Sequence, residues 1–149
     1  MDLHQNKAVI LSEYVQQPNN SKSLCYPKGL QWNKTADVYF VVTAKNQGCW
    51  VQHFINSLEK IYKETKDEHM HGIVFDYKSN DFDLESETRR TSLPKVTIVQ
   101  KDSKKSFVKT TAYNDAVATI KNPNAIVFLM DLHLQLASSV VDEIRKVMQ

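Results

Sequence analysis

The sequence predicts an α/β fold in which a mostly parallel sheet of Rossmann type is covered by helices on both faces. Three observations predict it. Four β-branched or aromatic runs alternate with helical segments in the order β-α-β-α-β-α-β-α, the pattern of parallel strands joined by right-handed crossovers. The run Ala125-Ile126-Val127-Phe128-Leu129-Met130 is continuously apolar, as a fully buried strand is. Between strands, Val51, Phe54, Ile55, Leu58, Ile61 and Tyr62 recur on one face of an amphipathic helix.

The elements follow in order. Residues 1–35 are polar and irregular and read as an arm laid over the domain; Ala8 to Val15 suits two helical turns, Pro18 interrupts, and Pro27-Lys28-Gly29 signals a turn. Tyr26 and Trp32 are its candidate anchors. The domain proper is expected over 36–149. Val38 to Thr43 is the first strand, broken by Lys45-Asn46-Gln47-Gly48, and the amphipathic helix follows. Gly72 to Tyr77 is the second strand. The acidic stretch Asn80 to Glu85 supplies caps and first-turn carboxylates for a short helix. Lys95 to Gln100 is the third strand. A helix over about 107–120 turns Tyr113, Ala116, Val117 and Ile120 to one side, and Asn122-Pro123-Asn124 stops it. After the strand at 125–130, a last helix begins near Ala137 and carries Val140, Ile144, Val147 and Met148 inward.

Composition narrows the function classes. With 149 residues the chain is long enough for one domain with its own core. It is 42% hydrophobic and 24% charged, with a net charge of +2, so no electrostatic footprint calls for nucleic acid or anionic lipid. No apolar stretch reaches the roughly 20 residues of a membrane helix, and the N-terminus does not read as a signal peptide. Three glycines occur in all. They form neither a G-x-G-x-x-G loop nor a P-loop, which disfavours both of those phosphate cradles. Cys25 and Cys49 define no disulfide framework; free thiols are the default, and pairing requires an oxidising compartment. The sequons at Asn19 and Asn33 matter only in a secretory lumen.

The chemistry concentrates at Asp131-Leu132-His133. A carboxylate and an imidazole two positions apart follow a strand, where open α/β sheets bind their ligands. Together they suit Mn²⁺ or a similar first-row ion; the alternative is a helix cap beside a surface histidine. Asp76 ends the second strand, where acids face a ribose or base edge, or stand in a solvated loop. Thr43, Lys45 and Asn46 leave the first strand at the same sheet edge and are placed to hydrogen-bond a nucleotide or to shape a turn. Lys109, at the start of the third helix, is a candidate counter-charge for a diphosphate or a solvated lysine. His69-Met70-His71 resembles a ligand pair but lacks a partner of known spacing, and reads as a surface turn. Cys49 opens the first helix, where the dipole lowers a thiol pKa; no nucleophile pattern accompanies it.

The stretch from Trp32-Asn33 through Val38-Tyr39-Phe40-Val41-Val42 and Lys45-Asn46-Gln47 to Trp50-Val51-Gln52-His53-Phe54-Ile55 resembles the chondroitin N-acetylgalactosaminyltransferase family. So do Asp76-Tyr77, Ser79, Asp81, Asp83 and Phe128-Leu129-Met130-Asp131-Leu132-His133. The likeness is strongest to its beta-1,4-N-acetylgalactosaminyltransferases, in which Asp-Leu-His stands where relatives carry Asp-x-Asp. It implies a GT-A, nucleotide-diphospho-sugar transferase-like fold, of which this chain is the N-terminal donor-binding half. It implies transfer of N-acetylgalactosamine from UDP-GalNAc to a glycan acceptor hydroxyl, dependent on Mn²⁺ or another divalent cation, in the Golgi lumen. The metal falls to Asp131 and His133, and donor binding to Thr43, Asn46, Asp76, Lys109 and Asp131. Lys109 stands where many relatives have arginine, and Ala112 and Ala116 where relatives often have glycine. The family's acceptor site, catalytic base and a further metal-binding histidine follow the metal motif. The chain is therefore expected to be incomplete and inactive alone, with no catalytic residue assigned. The rival reading is a non-catalytic module that keeps the nucleotide-sugar fold for binding or assembly.

Overall fold

The computed structural model describes residues 31–93, 95–101 and 107–148. The chain divides into two units, Met1–Trp32 and Asn33–Gln149, and the fold below is that of the second. Up to residue 30, the expected arm and Cys25 lie outside the described residues.

The elements are β1 (Val38–Ala44), α1 (Gly48–Thr65), β2 (Met70–Asp76), α2 (Leu84–Arg90), β3 (Val96–Gln100), α3 (Lys109–Val117), β4 (Ile126–Leu129) and α4 (Val140–Val147). The strand order is β3-β2-β1-β4 and every pairing is parallel. Thus β1 to β3 run outward on one side, and β4 returns to the other side of β1. The point of reversal lies between the carboxyl ends of β1 and β4, where such sheets open a ligand crevice.

Both faces of the sheet are covered. On one, Val38, Phe40 and Val42 of β1 pack with Val51, Phe54, Ile55, Leu58 and Ile61 of α1, and with Leu84, Val141 and Ile144. On the other, Val41, Ile73 and Phe75 meet Ala112 and Ala116 of α3, flanked by Tyr113 and Ile120. Successive β1 side chains therefore alternate between two cores, as the strand period requires. Two alanines on α3 let that helix lie close to the sheet. Phe40, Phe54 and Phe75 are almost wholly buried, each contributing roughly 1.5–3 kcal/mol relative to exposure. The short helix α2 is capped by Asp83, whose Oδ1 accepts from the Ser86 N–H at 3.1 Å.

Three expectations are corrected. The strand before Asp131 is an edge strand, paired only with β1, so Ile126 is buried while Leu129 is 50% exposed. His69-Met70-His71 is a surface turn only at His69, which lies in the turn before β2 with its side chain 43% exposed; β2 starts at Met70, and Met70 and His71 are buried. The His69 Nδ1 and His71 Nε2 both meet Asp37 Oδ1, at 3.0 and 3.2 Å, and Asn122 donates to Asp37 Oδ2 at 2.8 Å. Burial opposes ionisation of Asp37, but these hydrogen bonds outweigh it and bring its pKa to about 2. This cluster lies at the amino-terminal edge of the sheet, opposite the crevice. In α4 the inward stripe is Val141, Ile144 and Arg145, leaving Val147 and Met148 exposed. Arg145 draws the helix round: its guanidinium binds both oxygens of Asp67, at 2.5 and 3.0 Å, and the Ala36 carbonyl at 2.9 Å.

Candidate functional site

A cleft of about 390 Å³ opens at the reversal point, lined by Thr43, Gln47, Trp50, Phe107, Lys109, Asp131, Leu132 and His133. Four different parts of the chain meet there. Thr43 comes from the end of β1, Gln47 and Trp50 from the start of α1, Lys109 from the start of α3, and Asp131 to His133 from the turn after β4. The sequence-predicted residues Thr43, Lys109, Asp131 and His133 are thereby brought together.

The acidic centre is paired. Lys109 Nζ donates to Asp131 Oδ1. This contact holds the Asp131 carboxyl below, and the Lys109 ammonium above, its ordinary value. Lys109 also stands 5.8 Å from the Tyr113 ring centroid. One helical turn beyond Lys109, the Tyr113 hydroxyl donates to the Met130 carbonyl at 2.8 Å. It ties α3 to the residue immediately before Asp131. Burial pushes the Tyr113 hydroxyl up, Lys109 and a hydrogen bond with Thr43 pulling against it. On the far side of the cleft, Trp50 meets His133 edge-on, with ring centroids 6.2 Å apart, and meets His53 at 5.9 Å.

Asp76 and Asn46 are not among the lining residues. Asp76 is fully buried; Oδ2 accepts from the Ser79 N–H at 3.0 Å and Oδ1 from the Ser79 hydroxyl at 2.6 Å. Asn46 has φ 52°, its N–H donates to Ser79 Oγ at 2.7 Å, and its Oδ1 accepts from the Asn80 N–H at 3.3 Å. Lys45 Nζ donates to the carbonyls of Tyr77 and Lys78, at 2.6 and 3.1 Å. These residues lock the loop after β1 to the loop after β2. Asp81 completes the lock by accepting from the Gly48 N–H at 3.0 Å, so a carboxylate satisfies the first amide of α1. A Cβ on Gly48 would lie 2.4 Å from the Phe82 Cβ, which explains glycine at the point where the loops close.

Sequence reasoning missed Trp50, Gln47 and Phe107 as lining residues and Tyr113 as a tie. Trp50 stands beside Val51, off the buried face of an amphipathic helix, and a single exposed apolar residue there is common and gave the sequence no distinguishing signal.

The donor set suits a divalent cation only in company. Asp131 and His133 supply two ligands, and among the described residues no group of three histidine, cysteine, aspartate or glutamate side chains is placed to hold a metal. Ions such as Mg²⁺ are commonly held this way, by one or two carboxylates with substrate phosphates and water completing the shell.

The parallel sheet with helices on both faces is the GT-A type of glycosyltransferase fold. The fold is similar to that of the mannosyltransferase PcManGT from Pyrobaculum calidifontis, solved in complex with GDP-Man and Mn²⁺, at a TM-score of 0.59. The two are 19% identical over 83% of this chain and 36% of that one. Residues 5–147 match the family model of the chondroitin N-acetylgalactosaminyltransferases, and the chain belongs to that family. It is 31% identical over 129 residues to N-acetyl-beta-glucosaminyl-glycoprotein 4-beta-N-acetylgalactosaminyltransferase 1 of Mus musculus. That match covers 87% of this chain and 12% of the mouse protein.

Proposed function

We propose that this chain is the donor-binding part of an N-acetylgalactosaminyltransferase, taking UDP-GalNAc together with Mn²⁺ or another divalent cation. The observation that carries the reading is the convergence of Asp131, His133, Lys109 and Thr43 on one cleft at the sheet's reversal point, in a member of this family. Transfer joins the anomeric carbon of the sugar to an acceptor hydroxyl and releases UDP, whose diphosphate gains negative charge as the bond breaks. Asp131 and His133 would hold the cation, which would supply positive charge to offset that build-up. Lys109 adds a second positive charge beside it, and Thr43 offers a hydroxyl at the end of β1.

The uridine is assigned to the locked loops after β1 and β2. Asp76 and Asn46 act there by fixing Ser79 and Asn80, so their contribution is to the shape of the nucleoside's seat. Trp50 and Phe107 give the cleft apolar walls suited to a ring.

The acceptor hydroxyl must lose its proton to a base. Among the described residues Asp131 is the only carboxylate lining the cleft, and it faces Lys109. The function proposed for the described residues is thus donor and metal binding, with transfer to a glycan acceptor in the Golgi lumen as the reaction they serve.

Calorimetric titration with UDP-GalNAc tests this reading. Binding is expected with Mn²⁺ and expected to vanish with EDTA, and GDP-mannose is expected to bind more weakly. Absence of UDP-GalNAc binding at any Mn²⁺ concentration would leave the chain as a fold-bearing module for assembly.

A further inference from the structure

We propose that Lys109 is an internal counter-ion that blocks metal binding at Asp131 until a diphosphate arrives, so that cation and diphosphate are bound cooperatively. The inference rests on the reading of the cleft as a diphosphate site, and extends it to how that site is controlled.

The ammonium of Lys109 sits on Asp131 Oδ1, and among the described residues Asp131 is the only anionic side chain lining the cleft. Formal charge shows the consequence. Lys109 and Asp131 cancel, so this pair offers a divalent cation no net attraction. A cation entering alone meets a carboxylate already compensated and a neighbouring positive charge. A sugar nucleotide brings two formal negative charges on its diphosphate. With it, the cation, Lys109 and Asp131 sum to neutrality, and Lys109 has a new anion to bind when it leaves Asp131. The cost of that exchange is low. Both side chains are about half exposed, at 50% and 48%, and ion pairs of that kind are worth less than about tenfold in an equilibrium constant. The pair is strong enough to deter a metal alone and weak enough to yield to a metal with its phosphate.

The position of Lys109 is built for both partners. It starts α3, and Tyr113 one turn on donates to the Met130 carbonyl, so the backbone carrying Lys109 is tied to the backbone just before Asp131. Swinging between carboxylate and phosphate requires only side-chain rotation, which a four-carbon stem allows.

The test is Mn²⁺ binding followed by electron paramagnetic resonance of the free ion, without nucleotide and then with saturating UDP. It uses the wild-type chain, Lys109→Gln, Lys109→Arg and the double variant Lys109→Gln/Asp131→Ala. Lys109→Gln is expected to bind Mn²⁺ alone about three- to tenfold more tightly than wild type, and to bind UDP in the presence of Mn²⁺ about three- to tenfold more weakly. Lys109→Arg keeps the wild-type pattern, and the double variant loses the gain. Unchanged or weaker Mn²⁺ binding in Lys109→Gln overturns the inference while leaving the donor-site reading intact if wild type still binds UDP with Mn²⁺. A wild-type chain that binds no UDP overturns the donor-site reading. In that case, tighter Mn²⁺ binding by Lys109→Gln that depends on Asp131 keeps the blocking role, and the lack of UDP binding removes the cooperative one.

Discussion

The indole of Trp50 stands edge-on to the imidazole of His133, the rings inclined by 75° with centroids 6.2 Å apart. Trp50 belongs to the first turn of α1 and His133 to the turn after β4, so the contact spans the cleft between them. Trp50 is 48% exposed and contributes little to the core. Edge-to-face aromatic pairs are worth about 0.5–1.5 kcal/mol. Trp50→Ala is therefore expected to weaken Mn²⁺-dependent UDP binding about three- to tenfold by calorimetry, while the circular dichroism spectrum and urea midpoint stay near wild type. Unchanged affinity would remove Trp50 from the site.

Tyr113→Phe removes one hydroxyl and no apolar volume. It withdraws the donor to the Met130 carbonyl, at an expected stability cost of about 1 kcal/mol. Because that carbonyl precedes Asp131, UDP affinity is expected to fall with stability, by about threefold. Urea unfolding and calorimetry on the same sample measure both. Lost stability with full affinity would show that the bond supports the sheet and not the metal motif.

Acid sensitivity traces to the cluster at the other edge of the sheet. Burial lowers the His71 pKa below its usual value, with Asp37 pulling it back up. The folded state thus prefers neutral His71, and stability falls as pH drops below about 6.5, where the unfolded chain takes up the proton. Asp37 is depressed to about 2. Its contribution is present above its unfolded value near 4 and is lost as pH falls from about 4 towards 2. Discounted for solvent screening, it is worth about 1 kcal/mol. Asp37→Asn is expected to flatten the lower limb of a stability–pH curve, and His71→Gln the upper one. A limb that persists in the corresponding variant would contradict the assignment.

Arg145 is 3% exposed and grips Asp67 through two nitrogens. Truncation to alanine leaves a partly buried carboxylate uncompensated, a loss of about 3–5 kcal/mol. Arg145→Ala is expected to be among the most destabilising substitutions in the chain. Arg145→Met/Asp67→Asn, which removes both charges, is expected to recover part of the loss in urea melts. A double variant as unstable as the single one would mean that the Ala36 carbonyl contact dominates.

The strand and helix order was legible because apolar runs of β-branched residues and the α1 stripe are strong, local signals. Asp131 and His133 were legible because they follow such a run. What escaped the sequence depended on contacts distant along the chain. The exposed side of β4 follows from its place at the sheet edge, which no local pattern encodes. The inward turn of Arg145 needs Asp67, 78 positions away. The burial of His71 needs Asp37, and the spending of Asp76 on Ser79 needs the loop geometry. Trp50 was visible as a residue and missed as a wall of the cleft, because its significance lies in what the fold places opposite it.

Metal and diphosphate are proposed to meet at Asp131 and His133, between the carboxyl ends of β1 and β4. Paramagnetic broadening of backbone amide signals by substoichiometric Mn²⁺ with UDP tests it most directly, since broadening falls steeply with distance from the ion. UDP-dependent loss of signal is expected at Asp131 to His133, Lys109 and the Trp50 indole N–H, all abolished in Asp131→Ala. Signals of His69 and His71 are predicted to persist. Broadening centred on the His69–His71–Asp37 cluster, or spread evenly over the surface, would place the metal away from Asp131 and His133 and overturn the proposed site.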